Sequence, residues 1–178
     1  MDGNTSSSIS TNPMDLKMRI VNEAMEKSNI GFGDLKNDPL RAVSLFGDPM
    51  MPAVAGLVKG LCNNGARVVL AGGTQMVAVL AIIRALGITG DISIATTKFV
   101  ANDTSAHFLE MVKSLGYDAY VTDPGFYKSK IDGLLGYERG EVKEGVGAGG
   151  ALLLAAMAGV GQDEILADVE SFYRQLVK

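Results

Sequence analysis

From Arg67 onward the chain alternates short β-rich runs with helical stretches: 68–71 then 74–86, 92–95 then 104–115, and 119–121 ahead of a looser segment. This βαβ alternation constrains the fold more than any other feature. A helix that crosses from the end of one strand to the start of the next leaves the two strands parallel. The runs, such as Val68-Val69-Leu70-Ala71, are nearly continuous in apolar residues, as expected of strands covered by helices on both faces. Gly87 and Gly116 fall where helix C-caps belong, because a left-handed cap residue favours glycine. The expectation is one α/β domain over residues 1–178, three-layer α/β/α with a mainly parallel, Rossmann-like sheet.

The region before Arg67 reads as helical. Asn12 is a suitable N-cap and Pro13 suits the first helical position, while Leu16, Ile20, Val21, Ala24 and Met25 mark one face of a helix running to about Lys27. Asp38-Pro39 and Asp48-Pro49 repeat the start signal; the second opens a helix carrying Val54, Leu57, Val58 and Leu61 and stopping near Gly65.

Composition narrows the function classes. The 178 residues are 47% hydrophobic, enough for one sizeable core. Sixteen basic against 20 acidic residues give a formal charge of −4, and no basic run is interleaved with aromatics, so nucleic acid is not an expected partner. Cys62 and His107 are each the sole residue of their type, which excludes a disulfide framework, a zinc site of the usual ligands and a histidine-dependent triad. Cys62 reads as a small hydrophobe in the last turn of a helix, and His107 as a structural or surface imidazole. No apolar run is long enough to cross a bilayer, no charged and apolar leader opens the chain, and the expected compartment is the cytoplasm. The polar opening, residues 1–10, is either a disordered tail or the rim of a binding loop.

The stretch Lys143-Glu144-Gly145-Val146-Gly147-Ala148-Gly149-Gly150-Ala151 sets one carboxylate against a glycine run that enters an apolar helix. Such a carboxylate at the mouth of a glycine-lined cavity is a candidate general base, and the helix adds the positive end of its dipole. Gly145, Gly147 and Gly150 also satisfy G-x-G-x-x-G, but the polar residues 137–143 ahead of them are no buried strand, so the dinucleotide fingerprint is rejected. In parallel sheets ligands bind beyond the carboxyl ends of the strands, which directs attention to two loops. Gly72-Gly73-Thr74-Gln75 is either a ligand loop at a helix N-terminus or a tight turn with Thr74 as N-cap. The hydroxyl-rich 96–105, with Lys98 as its cation, is a phosphate loop or a capped, solvated connection.

Five short motifs in order carry a resemblance over nearly the whole chain: Ser6-Ser7-Ser8; Asn12-Pro13 with Leu16-Lys17; Gly47-Asp48-Pro49; Val69-Leu70-Ala71-Gly72-Gly73-Thr74-Gln75-Met76; and 143–150. As a set they resemble the nicotinate-nucleotide–dimethylbenzimidazole phosphoribosyltransferase family, in particular its archaeal-type branch. The resemblance implies transfer of the phosphoribosyl group of nicotinate mononucleotide to a benzimidazole-type base, giving α-ribazole phosphate and nicotinate for the lower ligand of cobalamin-type cofactors. It implies Glu144 as the catalytic base, Gly145, Gly147 and Gly149 as the glycines shaping the cavity, and Lys17 with Ser6 and Ser7 near phosphate. Gly72, Gly73, Thr74 and Gln75 complete the expected substrate-binding set. It further implies no metal or other cofactor, a homodimer, and an upstream region of comparable length with a glycine-rich phosphate loop; no membrane partner is expected, given the short apolar runs. Two other classes fit the residues: a non-catalytic nucleotide-binding module, and a structural assembly domain whose small-residue helix packs between subunits.

Overall fold

The computed structural model of the chain describes residues 5, 7, 12–143 and 145–177. Its centre is a parallel three-stranded sheet in the order β1 (Val68–Ala71), β2 (Ile92–Thr97), β3 (Asp118–Thr122). Val68 pairs with Ile92 and Ala71 with Ala95, while Ser93 pairs with Asp118 and Thr97 with Thr122. The expected three-layer α/β/α arrangement is present, with all pairings parallel.

The two faces of the sheet differ in side-chain size, and this decides what packs on each. Side chains alternate between faces along a strand. Val68, Leu70, Ile92 and Ile94 therefore share one face, where they join Val58 of α3 (Met50–Asn63), Val77, Leu80 and Ile83 of α4 (Thr74–Ala85), and Phe108 and Val112 of α6 (Phe108–Ser114) in the main core. The opposite face presents the small side chains of Ala71, Ser93 and Ala95 at its centre, beside Val69, Thr97 and Tyr120. Helix α8 (Ala148–Met157) crosses it in contact with all three strands. Small strand residues and a glycine-rich helix start let the two backbones approach closely.

The remaining helices are α1 (Met14–Ser28), α2 (Pro39–Phe46), the short α5 (Lys98–Ala101), α7 (Asp132–Glu138) and α9 (Gln162–Leu176). Asp38 caps α2 by accepting from the Arg41 N–H at 3.2 Å, as its Asp-Pro signal predicts. Gly65, Gly87 and Gly116 all take positive φ at helix ends, also as expected. Cys62 lies in the last turn of α3, half-buried against the core. Among the described residues no helix is long and apolar enough to cross a membrane.

Three local expectations are corrected. Helix α1 begins at Met14 with Pro13 in the cap position, and Asn12 makes no cap bond; its amide bridges Thr5, Lys17 and Ser105 instead. Strand β2 extends through Thr96 and Thr97, both buried, because the ladder to β3 continues to Thr97–Thr122 and α8 covers that end. The helix expected over 104–115 is shortened to α6, which starts only after His107, held in a left-handed conformation at φ 45°, while the short α5 forms directly after β2 within the expected loop.

Candidate functional site

A cavity of about 530 Å³ lies at the carboxyl end of β1, where the topology of parallel sheets predicts ligand binding. Its wall on one side is Ala71 to Met76, and on the other Lys143, Gly145, Val146 and Gly147, with Ser7 contributing from the N-terminal segment. The N-termini of α4 and α8 both border it, so two helix dipoles present their positive ends there.

The sequence explains how each wall forms. The Gly72 N–H donates to the Ala95 carbonyl at 3.0 Å, extending the β1–β2 ladder by one bond before the chain turns. Gly73 then takes the cap position of α4, and Thr74 is its first helical residue, which corrects the reading of Thr74 as N-cap. On the other wall Gly145 has φ +69°, a conformation that side chains strain to adopt. The N–H groups of Ala148, Gly149 and Gly150 donate to the carbonyls of Gly145, Val146 and Gly147, winding the start of α8 into tight turns. Those three donors are thus held within the chain rather than offered to a ligand. The segment is entered from α7 through a turn at Gly140 rather than from a strand of the sheet, which agrees with rejection of the dinucleotide fingerprint.

Seven of the expected site residues therefore converge on one cavity: Ser7, Gly72, Gly73, Thr74, Gln75, Gly145 and Gly147. Gly149 is corrected. It is buried on the sheet-facing side of α8 against the backbone of Thr96, and it serves helix-on-sheet packing rather than the cavity wall. Gly150 is pressed in the same way on Ala71. Lys17 does not line the cavity; its ammonium donates to Asn12 Oδ1 at 2.8 Å and to Thr5 Oγ1 at 3.4 Å. Glu144 and Ser6 lie outside the described residues.

A second cavity of about 440 Å³ adjoins the first through Lys143, which lines both; Lys98, Phe99, Asp103, Tyr137 and Glu138 are among its other walls. Lys98 is tied to Glu138 at 2.8 Å and Asp123 at 3.1 Å and lies 5.1 Å from the Tyr127 ring centre. Burial opposes its charge, yet these two carboxylates hold its ammonium above the ordinary lysine pKa. The cation that suggested a phosphate loop at 96–105 is thus already neutralised. Phe99, Phe126 and Tyr137 cluster beside it, with ring centres 5.4–6.2 Å apart.

Lys143 and Asp103 carry site electrostatics to which the sequence reading gave no role. Their side chains meet at 2.8 Å and are 13% and 6% exposed. Burial pushes the Asp103 carboxyl up, but the hydrogen bonds from Lys143 and from Ser105 outweigh it, and the group sits below its ordinary pKa. Ser105 donates through both its N–H and its hydroxyl, at 3.0 and 2.7 Å, and its hydroxyl also accepts from Asn12 at 3.2 Å. A continuous chain of polar contacts thus runs from Lys17 through Asn12, Ser105 and Asp103 to Lys143. The one signal available in sequence was a lone lysine beside the glutamate of an otherwise uncharged glycine loop.

No protein-family model matches the chain. It is 51% identical over 177 residues to a UPF0284 protein of Methanosarcina acetivorans, 48% over 180 residues to one of Thermococcus gammatolerans, and 43% over 169 residues to one of Halobacterium salinarum. These alignments take in 98, 99 and 94% of this chain but 51, 53 and 51% of the relatives, so the chain spans about half the length of the curated relatives it matches. The shared name states no activity. Over nearly its whole length, the chain is homologous to about half of each of these archaeal UPF0284 proteins.

Proposed function

We propose that this chain carries the base-activating part of a phosphoribosyl-transfer site, moving the phosphoribosyl group of nicotinate mononucleotide to a benzimidazole-type base. The observation that carries the reading is the convergence of residues 72–75 with Ser7, Gly145 and Gly147 on a single cavity at the carboxyl end of the sheet, beside Glu144 in sequence.

In this reaction one nitrogen of the neutral base attacks the ribose anomeric carbon as the bond to the nicotinate nitrogen breaks. The pyridinium leaves as neutral-ring nicotinate, taking the bonding electron pair. The positive charge passes to the base, whose other nitrogen then gives its proton to the Glu144 carboxylate. Attack opposite the leaving group gives the α-linked product. The leaving group is already activated, so the protein must chiefly orient the reactants and accept one proton. Side chains are absent at Gly145 and Gly147, which leaves room for a planar ring, and the α4 and α8 N-termini favour the anionic end of the nucleotide.

The homodimer implied by the resemblance belongs to the same proposal. Helices α1 and α2 and the connection between them leave Ile20, Phe32, Leu45 and Phe46 exposed around an apolar cavity of about 630 Å³, a surface suited to burial. Of the small-residue helix, Gly149 and Gly150 pack inside the chain, against β2 and β1, while Leu154 and Met157 are exposed.

A thermal melt of the chain with nicotinate mononucleotide, nicotinate, phosphate and a series of benzimidazoles and purines tests the reading. Saturating nucleotide at about 100 times its dissociation constant should add about 2.7 kcal/mol of stability. Product formation, followed chromatographically, should accompany the shift. A shift without product would leave a nucleotide-binding module, and no shift with any compound would sink the proposal for this chain.

A further inference from the structure

We propose that Asp103 and Lys143 form the positioning pair for Glu144, an inference that rests on the phosphoribosyl-transfer reading. The residue directly before Glu144 is held by a partly buried ion pair to the connection that follows β2, 40 residues earlier in the chain. Asp103 is itself fixed, because Ser105 donates to its Oδ1 twice while Lys143 takes Oδ2. Ser105 is in turn joined through Asn12 to Lys17 on α1. On the far side of Glu144, Gly149 and Gly150 are packed on Thr96 and Ala71 with no room for a side chain.

The described residues on either side of Glu144 are thus held, Lys143 by its ion pair and Gly149 and Gly150 by packing. Between them lie Gly145 and Gly147, which on their own leave the backbone free to sample many conformations. A lysine has four rotatable side-chain bonds, and a buried partner removes that freedom as a surface partner does not. Taking two charges out of water is a poor way to add stability, so a pair at this point is better explained by the geometry it imposes. Lys143 also forms the wall common to both cavities, so fixing its ammonium fixes the boundary between them.

The test compares Lys143→Met, Asp103→Asn, the double variant carrying both, and Lys143→Arg. Hydrogen–deuterium exchange of the ligand-free chain should rise about tenfold or more in residues 141–150 of the single variants while β1 and β2 stay protected. In the transfer assay kcat should fall about 100-fold, with KM for nicotinate mononucleotide changed less than about twofold. The double variant leaves no unpaired buried charge, so it should regain the melting temperature without regaining loop protection or kcat. Lys143→Arg should retain both. Unchanged exchange in 141–150 of Lys143→Met, or wild-type turnover in the double variant, would overturn the inference. Absence of transfer by the unaltered chain would count against the reaction and not against the pair. The exchange arm contains no substrate: raised exchange then keeps the pair as the anchor of the loop, and unchanged exchange removes it.

Discussion

Gly149 sits directly on the backbone of Thr96, so a Cβ added at residue 149 would overlap the Thr96 Cα, carbonyl carbon and carbonyl oxygen. Helix α8 can cover the carboxyl end of β2 only because this position lacks a side chain. Backbone cannot move aside as the end of a flexible side chain can. The same contact buries Thr96 and brings the start of α8 to the cavity.

Gly149→Ala should therefore destabilise the chain by about 1–3 kcal/mol, although alanine is the better helix former. Gly147→Ala supplies the control. Its nearest neighbour would be the Ala71 carbonyl oxygen at 3.8 Å and its φ of −62° suits any residue, so stability should change by less than about 0.5 kcal/mol. Its methyl group would stand at the cavity wall, and affinity for a planar ligand should fall. Urea denaturation of the two variants, with ligand melts on Gly147→Ala, checks both halves; equal stability losses would contradict the packing role given to Gly149.

Glu144→Gln keeps the size and polarity of the side chain and removes its capacity to accept a proton. Turnover should drop by about 100- to 10,000-fold with the melting temperature little changed. A fully active Glu144→Gln variant, measured by product formation, would remove Glu144 from the role of base.

Acid stability should carry the signature of Asp103. Its folded-state pKa is depressed by Lys143 and Ser105 despite burial, so its contribution is fully present above the unfolded value of about 3.9. That contribution is lost as pH falls from there through the folded value. Asp103→Asn should therefore flatten the acid limb of the stability profile and lower stability at neutral pH, where the half-buried Lys143 is left without its anion. Chemical denaturation between pH 3 and 7 reads both changes, and an unaltered acid limb would show that Asp103 is not the linked group.

Lys98 should prove structural. Glu138 has one carboxylate oxygen on Lys98, while the other is buried without a partner among the described residues. Lys98→Met would leave both oxygens uncompensated and cost about 1–3 kcal/mol or more, and adding Glu138→Gln should recover part of that loss. Thermal melts of the single and double variants measure the recovery; its absence would mean that Asp123 is the partner that matters.

Much of this fold was legible because its signals are local. The run Val68–Ala71 is apolar and punctuated by glycines, and it forms β1 with those bounds. The caps at Asp38, Gly87 and Gly116 follow from chemistry within a turn or two of each residue. The failures arise where a distant partner wins. Asn12 was a good cap by type, but Thr5, Lys17 and Ser105 take its amide. Thr96 and Thr97 were loop residues by polarity, until α8 covered them. Gly149 belonged with its neighbouring glycines by spacing, whereas the turn of the helix points it at the sheet.

By itself the sequence determined the parallel α/β class, the approximate elements, and the glutamate–glycine segment beside which a site should lie, because periodicity, turn chemistry and glycine placement act over a few residues. Tertiary structure alone decided that residues 72–75 and 145–147 face one cavity and that Gly149 serves packing. It also decided that Asp103 lies 2.8 Å from Lys143. Those relationships depend on how strands and helices stack, and contacts between residues tens of positions apart have no local signature that a sequence pattern can carry.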